Sequence, residues 1–78
     1  MDIRNRLKII FSDLFNLDTT LLESKITINH IENWDSLNHL NLIIAIENEF
    51  EINIVPDDFP KLYKDFVTIS KYISDRIK

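Results

Sequence analysis

The chain contains no cysteine and no glycine, and only two prolines and two histidines. Without cysteine, disulfides and thiolate metal sites are excluded, and any thiol chemistry must come from an added group. Without glycine, turns rely on Asn, Asp and Pro, and a Gly-rich phosphate loop is ruled out. No apolar run approaches the roughly 18 residues of a membrane span. The start, Met1-Asp2-Ile3-Arg4, lacks a signal-peptide hydrophobic segment, so the expectation is a soluble, cytoplasmic protein. Basic residues are in deficit, nine against thirteen acidic, for a net charge of −4. That balance argues against nucleic acid as a partner and favours basic-faced proteins. The 78 residues suit one small domain, 1–78, with a single core and a monomeric state.

Hydrophobic periodicity supplies the elements. Asp2 can cap a first helix in which Ile3, Leu7, Ile10, Phe11 and Leu14 recur at helical spacing, the pattern fading near Asn16 to Asp18. From Thr19 to Trp34 the periodicity is lost, and Leu21, Leu22, Ile26, Ile28 and Ile31 are expected to pin this long connection to the core. A second helix runs from Leu37 to Phe50. Pro56-Asp57-Asp58 opens a short third helix reaching Leu62, with Pro60 limiting its regularity. A last helix presents Val67, Ile69, Tyr72, Ile73 and Ile77 as its apolar side, with Asp65 or Thr68 as the cap. Isoleucine-rich stretches at 26–31 and 52–55 also fit short strands, but two isolated segments make a poor sheet. The expected fold is all-α, a small four-helix bundle of three main helices and one short one, with a long first loop.

The tripeptide Asp35-Ser36-Leu37 opens the longest amphipathic run. The first turn of a helix has unpaired N–H groups and the positive end of the dipole, and both favour a phosphodiester bonded there. If Asp35 is the N-cap, the Ser36 hydroxyl points outward and is open to modification; the alternative is that Ser36 is itself the cap. At about 100° per residue, Leu42, Ile43, Ile46 and Phe50 form a buried stripe. Leu37, Leu40 and Ile44 fall on a different side among Asn41, Glu47, Asn48 and Glu51. This second stripe fits a docking surface for a partner protein, or a helix sandwiched between two neighbours. His39 projects toward the buried stripe and reads as partly buried structure rather than a base or ligand. Asp57 and Asp58, at a helix start, are expected to serve the dipole and solvent rather than form an acid pair or cation site. No catalytic residue and no metal-ligand set is expected.

The stretch from Trp34 to Phe50, WDSLNHLNLIIAIENEF, resembles the Asp-Ser-Leu motif and second helix of acyl carrier proteins. The Glu-x-Glu-Phe ending, the chain length and the near-central Ser36 extend the resemblance over the whole chain. It implies an acyl-carrier-like bundle in which Ser36 bears a covalent 4′-phosphopantetheine arm derived from coenzyme A, whose thiol holds acyl intermediates as thioesters. The lack of cysteine fits a working thiol on an added arm. The implied partners are a phosphopantetheinyl transferase and acyl- or aminoacyl-activating, condensing or transferring enzymes. Asp35 would orient the loop, Leu37 would enter an apolar pocket on partners, and Leu40, Asn41, Ile44, Glu47, Asn48 and Glu51 would supply the adjoining surface. Trp34 would pack the loop against the second helix or touch the arm or a partner. Asn38, Asn41 and Asn48 stand where fatty-acid carriers usually have acidic residues, Trp34 stands among usual small residues, and the Asp57–Asp65 connection is longer. These departures suggest a specialised carrier in a secondary, surface-glycan or aminoacyl-type pathway. The competing expectation is an unmodified helical adaptor binding a partner through the Leu37-Leu40-Ile44 face.

Overall fold

The computed structural model describes residues 2–18 and 20–77. Met1, Thr19 and Lys78 lie outside that description, Thr19 being the first residue of the expected connection. Helix α1, Ile3–Phe15, starts where the Asp2 carboxylate accepts the Asn5 N–H at 2.8 Å. It stops at Asn16, which takes the left-handed conformation at φ 56° and donates its N–H to the Ser12 carbonyl. In a glycine-free chain this cap falls to asparagine, a residue that tolerates positive φ. Leu7, Phe11 and Phe15, four residues apart, turn one stripe of α1 inward.

The connection to α2 is neither a free loop nor a strand. A 3-10 turn forms at Glu23–Lys25, and Thr27 makes an isolated antiparallel bridge with Asp65. Around it, Ile28 N–H donates to the Lys64 carbonyl at 3.0 Å and Phe66 N–H donates to the Ile26 carbonyl at 2.9 Å. Ile26, Ile31 and Trp34 are buried, and Leu21 packs against the core. Leu22 and Ile28 do not pin the connection: both are exposed, at 65% and 38%. Leu22 precedes the 3-10 turn in extended conformation, and the bridge sets Ile28 beside Lys64 at the surface. Glu23 fastens the turn to α1 through Arg4, with Lys8 at 3.9 Å.

Helix α2, Ser36–Phe50, buries Leu42, Ile43, Ile46 and Phe50. A 3-10 turn at Pro56–Asp58 leads into α3, Phe59–Leu62, and Pro60 occupies the first turn, where its missing N–H costs no helical bond. Helix α4, Phe66–Ile77, is capped by Asp65, which accepts the Thr68 N–H at 2.8 Å. Its buried stripe is Phe66, Ile69 and Ile73. Val67, expected on that stripe, is 54% exposed. The inward place at the start of α4 belongs to Phe66, and Val67 lies about 100° away on the helix.

Helix α1 packs against both α2 and α4. Where they meet, the Phe11 ring sits 5.3 Å from Trp34, edge-on, and 5.6 Å from both Phe15 and Phe66. Among the described residues the fold is a four-helix all-α bundle with no strand, and no helix is long and apolar enough to cross a membrane. Asp58 departs from its expected role. Asp57 faces solvent, but Asp58 is buried, accepting from the Tyr72 hydroxyl at 2.7 Å and lying 3.2 Å from both Lys61 Nζ and Arg76 Nη2. It ties the Pro56–Asp58 turn to α4 instead of serving the dipole. The Tyr72 hydroxyl, followed by Lys61 and Arg76, holds its carboxyl below the usual carboxylate range against the opposing effect of burial.

Candidate functional site

Asp35 has extended backbone geometry, and its carboxylate accepts the Asn38 N–H at 2.9 Å, so it is the N-cap of α2. Ser36 is then the first helical residue, and it is exposed. Its hydroxyl stands beside the unpaired amides of a helix of 15 residues, at the positive end of the dipole. Asn38 reinforces the turn from the side, its amide donating to the Asn33 carbonyl at 2.7 Å. Asn41 lies one turn further and reaches Asn38 Oδ1 at 3.4 Å.

Below this turn Trp34 and His39 are buried and hydrogen-bonded. Trp34 is 3% exposed; its indole N–H donates to His39 Nδ1 at 3.0 Å, and its ring packs against Phe11 and Phe15. The indole edge is therefore not presented to an arm or partner, and Trp34 fastens the connection to α2. His39 Nε2 bonds to the Phe59 carbonyl at 2.8 Å, so both ring nitrogens are engaged and neither is free to deprotonate Ser36. Burial lowers the His39 pKa, opposed by the hydrogen bond to Phe59. A serine hydroxyl without an adjacent base is a poor nucleophile. Ser36 is exposed, and the His39 ring beneath it offers it no free nitrogen. Among the described residues no cluster of three or more metal-ligating side chains occurs.

From Ser36 an apolar strip runs down the outer side of α2. Leu37 is 70% exposed, Leu40 46% and Ile44 55%. Among the described residues no element of the bundle covers this side, which rules out the sandwiched-helix alternative. Asn41, Asn48 and Glu51 flank the strip and are exposed. Glu47 behaves differently: it is half-buried, and its Oε2 accepts the Ile54 N–H at 2.9 Å. Its carboxylate organises the segment after α2 and is not a free charge on the strip. Glu49 is likewise engaged, with Arg6 Nε at 2.9 Å.

Two participants escape the periodicity. Tyr63 donates its hydroxyl to the Trp34 carbonyl at 2.9 Å, and its ring stacks on His39 at 4.8 Å. Phe59 supplies only a backbone carbonyl, an atom every residue type has. A tyrosine directly after the short helix was the one available signal, and nothing local in sequence joins it to a tryptophan 29 positions earlier. No family model matches the chain, and no curated protein matches it in sequence.

Proposed function

We propose that this protein is an acyl carrier, with Ser36 as the attachment point for 4′-phosphopantetheine. The observation that carries the reading is the division of labour at the start of α2. Asp35 caps the helix by accepting the Asn38 N–H, leaving the Ser36 hydroxyl exposed beside it, and the Leu37-Leu40-Ile44 strip begins at the next residue. The residues fit the group: a phosphodiester on Ser36 Oγ lies against free amides and the dipole of α2, and Asp35 makes no demand on the hydroxyl. When attached, the arm supplies a thiol that holds acyl cargo as a thioester. Asp35 and Asn38 keep the turn in one conformation for a phosphopantetheinyl transferase. Leu37, Leu40 and Ile44 offer apolar contact to the acyl- or aminoacyl-activating, condensing or transferring enzymes, with Asn41, Asn48 and Glu51 at the rim. With Glu47 bonded to the Ile54 amide and Glu49 paired with Arg6, Glu51 is the free carboxylate of the rim, in keeping with a specialised secondary, surface-glycan or aminoacyl-type pathway over fatty-acid synthesis. On this reading the carrier is a cytoplasmic monomer and not itself an enzyme.

The test is intact mass after incubation with coenzyme A, magnesium and a broad-specificity transferase. Wild type should gain one phosphopantetheine, and Ser36→Ala should gain none while keeping its helicity and melting temperature. A gain in Ser36→Ala places attachment elsewhere. No gain in wild type with several transferases favours the second reading, an unmodified adaptor, which the same uncovered apolar strip supports.

A further inference from the structure

His39 stands where three parts of the fold meet below Ser36. An indole nitrogen can only donate, so the bond from Trp34 Nε1 leaves His39 Nδ1 without a proton, and the ring hydrogen lies on Nε2 and donates to Phe59. Each contact joins a different segment. Trp34 belongs to the connection, Phe59 opens α3, and Tyr63 stacks from the segment between α3 and α4 while its hydroxyl holds the Trp34 carbonyl. That carbonyl belongs to the peptide leading into Asp35, and the Asp35 carbonyl accepts the His39 N–H at 2.8 Å.

We propose that neutral His39 is the positioning residue of the Ser36 turn, clamping Trp34, and through it Asp35 and Ser36, onto the start of α3. Its bearing on modification rests on the carrier reading; the clamp itself does not. A residue that merely fills space needs neither bond. Here both ring nitrogens are used with opposite polarity, an arrangement available only to the neutral ring. Adding a proton at Nδ1 would set two donors, His39 Nδ1–H and Trp34 Nε1–H, against each other at 3.0 Å with no acceptor between them. The indole would have to withdraw, and the turn it anchors would loosen. The groups facing the ring are the Trp34 indole and the Asp35 backbone from the connection, the Phe59 carbonyl from α3, and the Tyr63 phenol beyond it. Of these the Tyr63 phenol is the one titratable side chain, and no carboxylate or cationic side chain is among them.

The experiment is an NMR titration of unmodified protein from about pH 8 to about pH 5, where a histidine changes charge. The His39 ring, the Trp34 indole N–H and the Ser36 amide should shift with one shared midpoint, below the ordinary histidine value. In Trp34→Phe the His39 midpoint should rise and the Ser36 response should vanish; in His39→Phe the transition should be absent. With one transferase throughout, loading of His39→Phe relative to wild type should fall several-fold near neutrality and return toward parity in acid, where wild type has also lost the clamp. A His39 transition that leaves the Ser36 amide unmoved overturns the proposal, as does a Ser36 transition that persists in His39→Phe. If His39→Phe does not fold, Trp34→Phe carries the same comparison. Wild type that is never loaded defeats the carrier reading alone, because the shared midpoint still decides the clamp.

Discussion

Asp35 and Ser36 are adjacent and both able to cap a helix, yet only Asp35 does so, and that choice leaves a hydroxyl at the surface. The competition was visible in the sequence but its outcome was not, because Asp and Ser rank nearly equal as caps. The other end of α2 has a comparable oddity. Glu51 adopts φ 54° as the left-handed cap, a conformation that costs a residue with a Cβ about 1–2 kcal/mol. Asn16, at φ 56°, carries the same geometry on a side chain better suited to it. Glu51→Gly should therefore stabilise the protein. The relief outweighs glycine's extra chain entropy of about 0.5–1 kcal/mol, giving a net gain of roughly 0.5–1 kcal/mol. Urea unfolding of the two proteins measures it. A loss of stability would show instead that the Glu51 side chain makes a contact worth more than the backbone strain.

Within α2 the division into two faces was legible because both obey the helical period: Leu42, Ile43, Ile46 and Phe50 point inward, and Leu37, Leu40 and Ile44 point outward. Burial converts that geometry into numbers. Ile43→Ala should cost about 2–5 kcal/mol, because Ile43 is buried in the core cluster and the space it leaves is closed to water. Leu37→Ala and Ile44→Ala should stay within about 0.5 kcal/mol of wild type, as surface changes do, and on the proposed carrier reading should slow turnover by a partner enzyme. Thermal melts of the three variants beside a loading or transfer assay separate the faces. Large destabilisation by Leu37→Ala or Ile44→Ala would show that the strip supports the fold. What the period could not supply lies between elements. Leu22 and Ile28 have the composition of anchors but no regular phase to orient them, so the 3-10 turn after Leu22 and the bridge between Thr27 and Asp65 beside Ile28 decided their exposure. Val67 shares a helix with Phe66, and only tertiary packing determined which of the two faced inward. Glu47 sits at the right helical angle for the outer strip, and a backbone amide seven residues later drew it away.

At the scale of the whole molecule, two buried titratable side chains, remote from each other in sequence, hold the short α3 region to the larger helices. His39 ties α3 to α2, and Asp58 ties the preceding turn to α4. Neither tie was readable in advance, since each joins residues 14 or more positions apart without a repeating pattern. They do, however, give the stability a defined response to acid. His39 has a lowered pKa, so below about pH 6.5 the unfolded chain takes up its proton first and stability falls; the loss levels off once the folded protein is protonated as well. Asp58 also has a lowered pKa, but as an acid. Its contribution is complete above the unfolded value of about 3.9 and disappears as pH falls through the still lower folded value. Stability should therefore decline in two separate windows, and Asp58→Asn should remove the Asp58 share of the acid one, to which Asp18 and Asp65, also lowered, contribute as well. Urea midpoints measured from about pH 7 down to about pH 3 should show Asp58→Asn weaker than wild type by a constant amount down to about pH 5, with the gap narrowing below about pH 4. The His39 window is common to both proteins and cancels in that difference. A gap of constant size down to the lowest pH would mean that the Asp58 charge does not stabilise the fold, and that Tyr72 is held through hydrogen bonding an asparagine supplies less well.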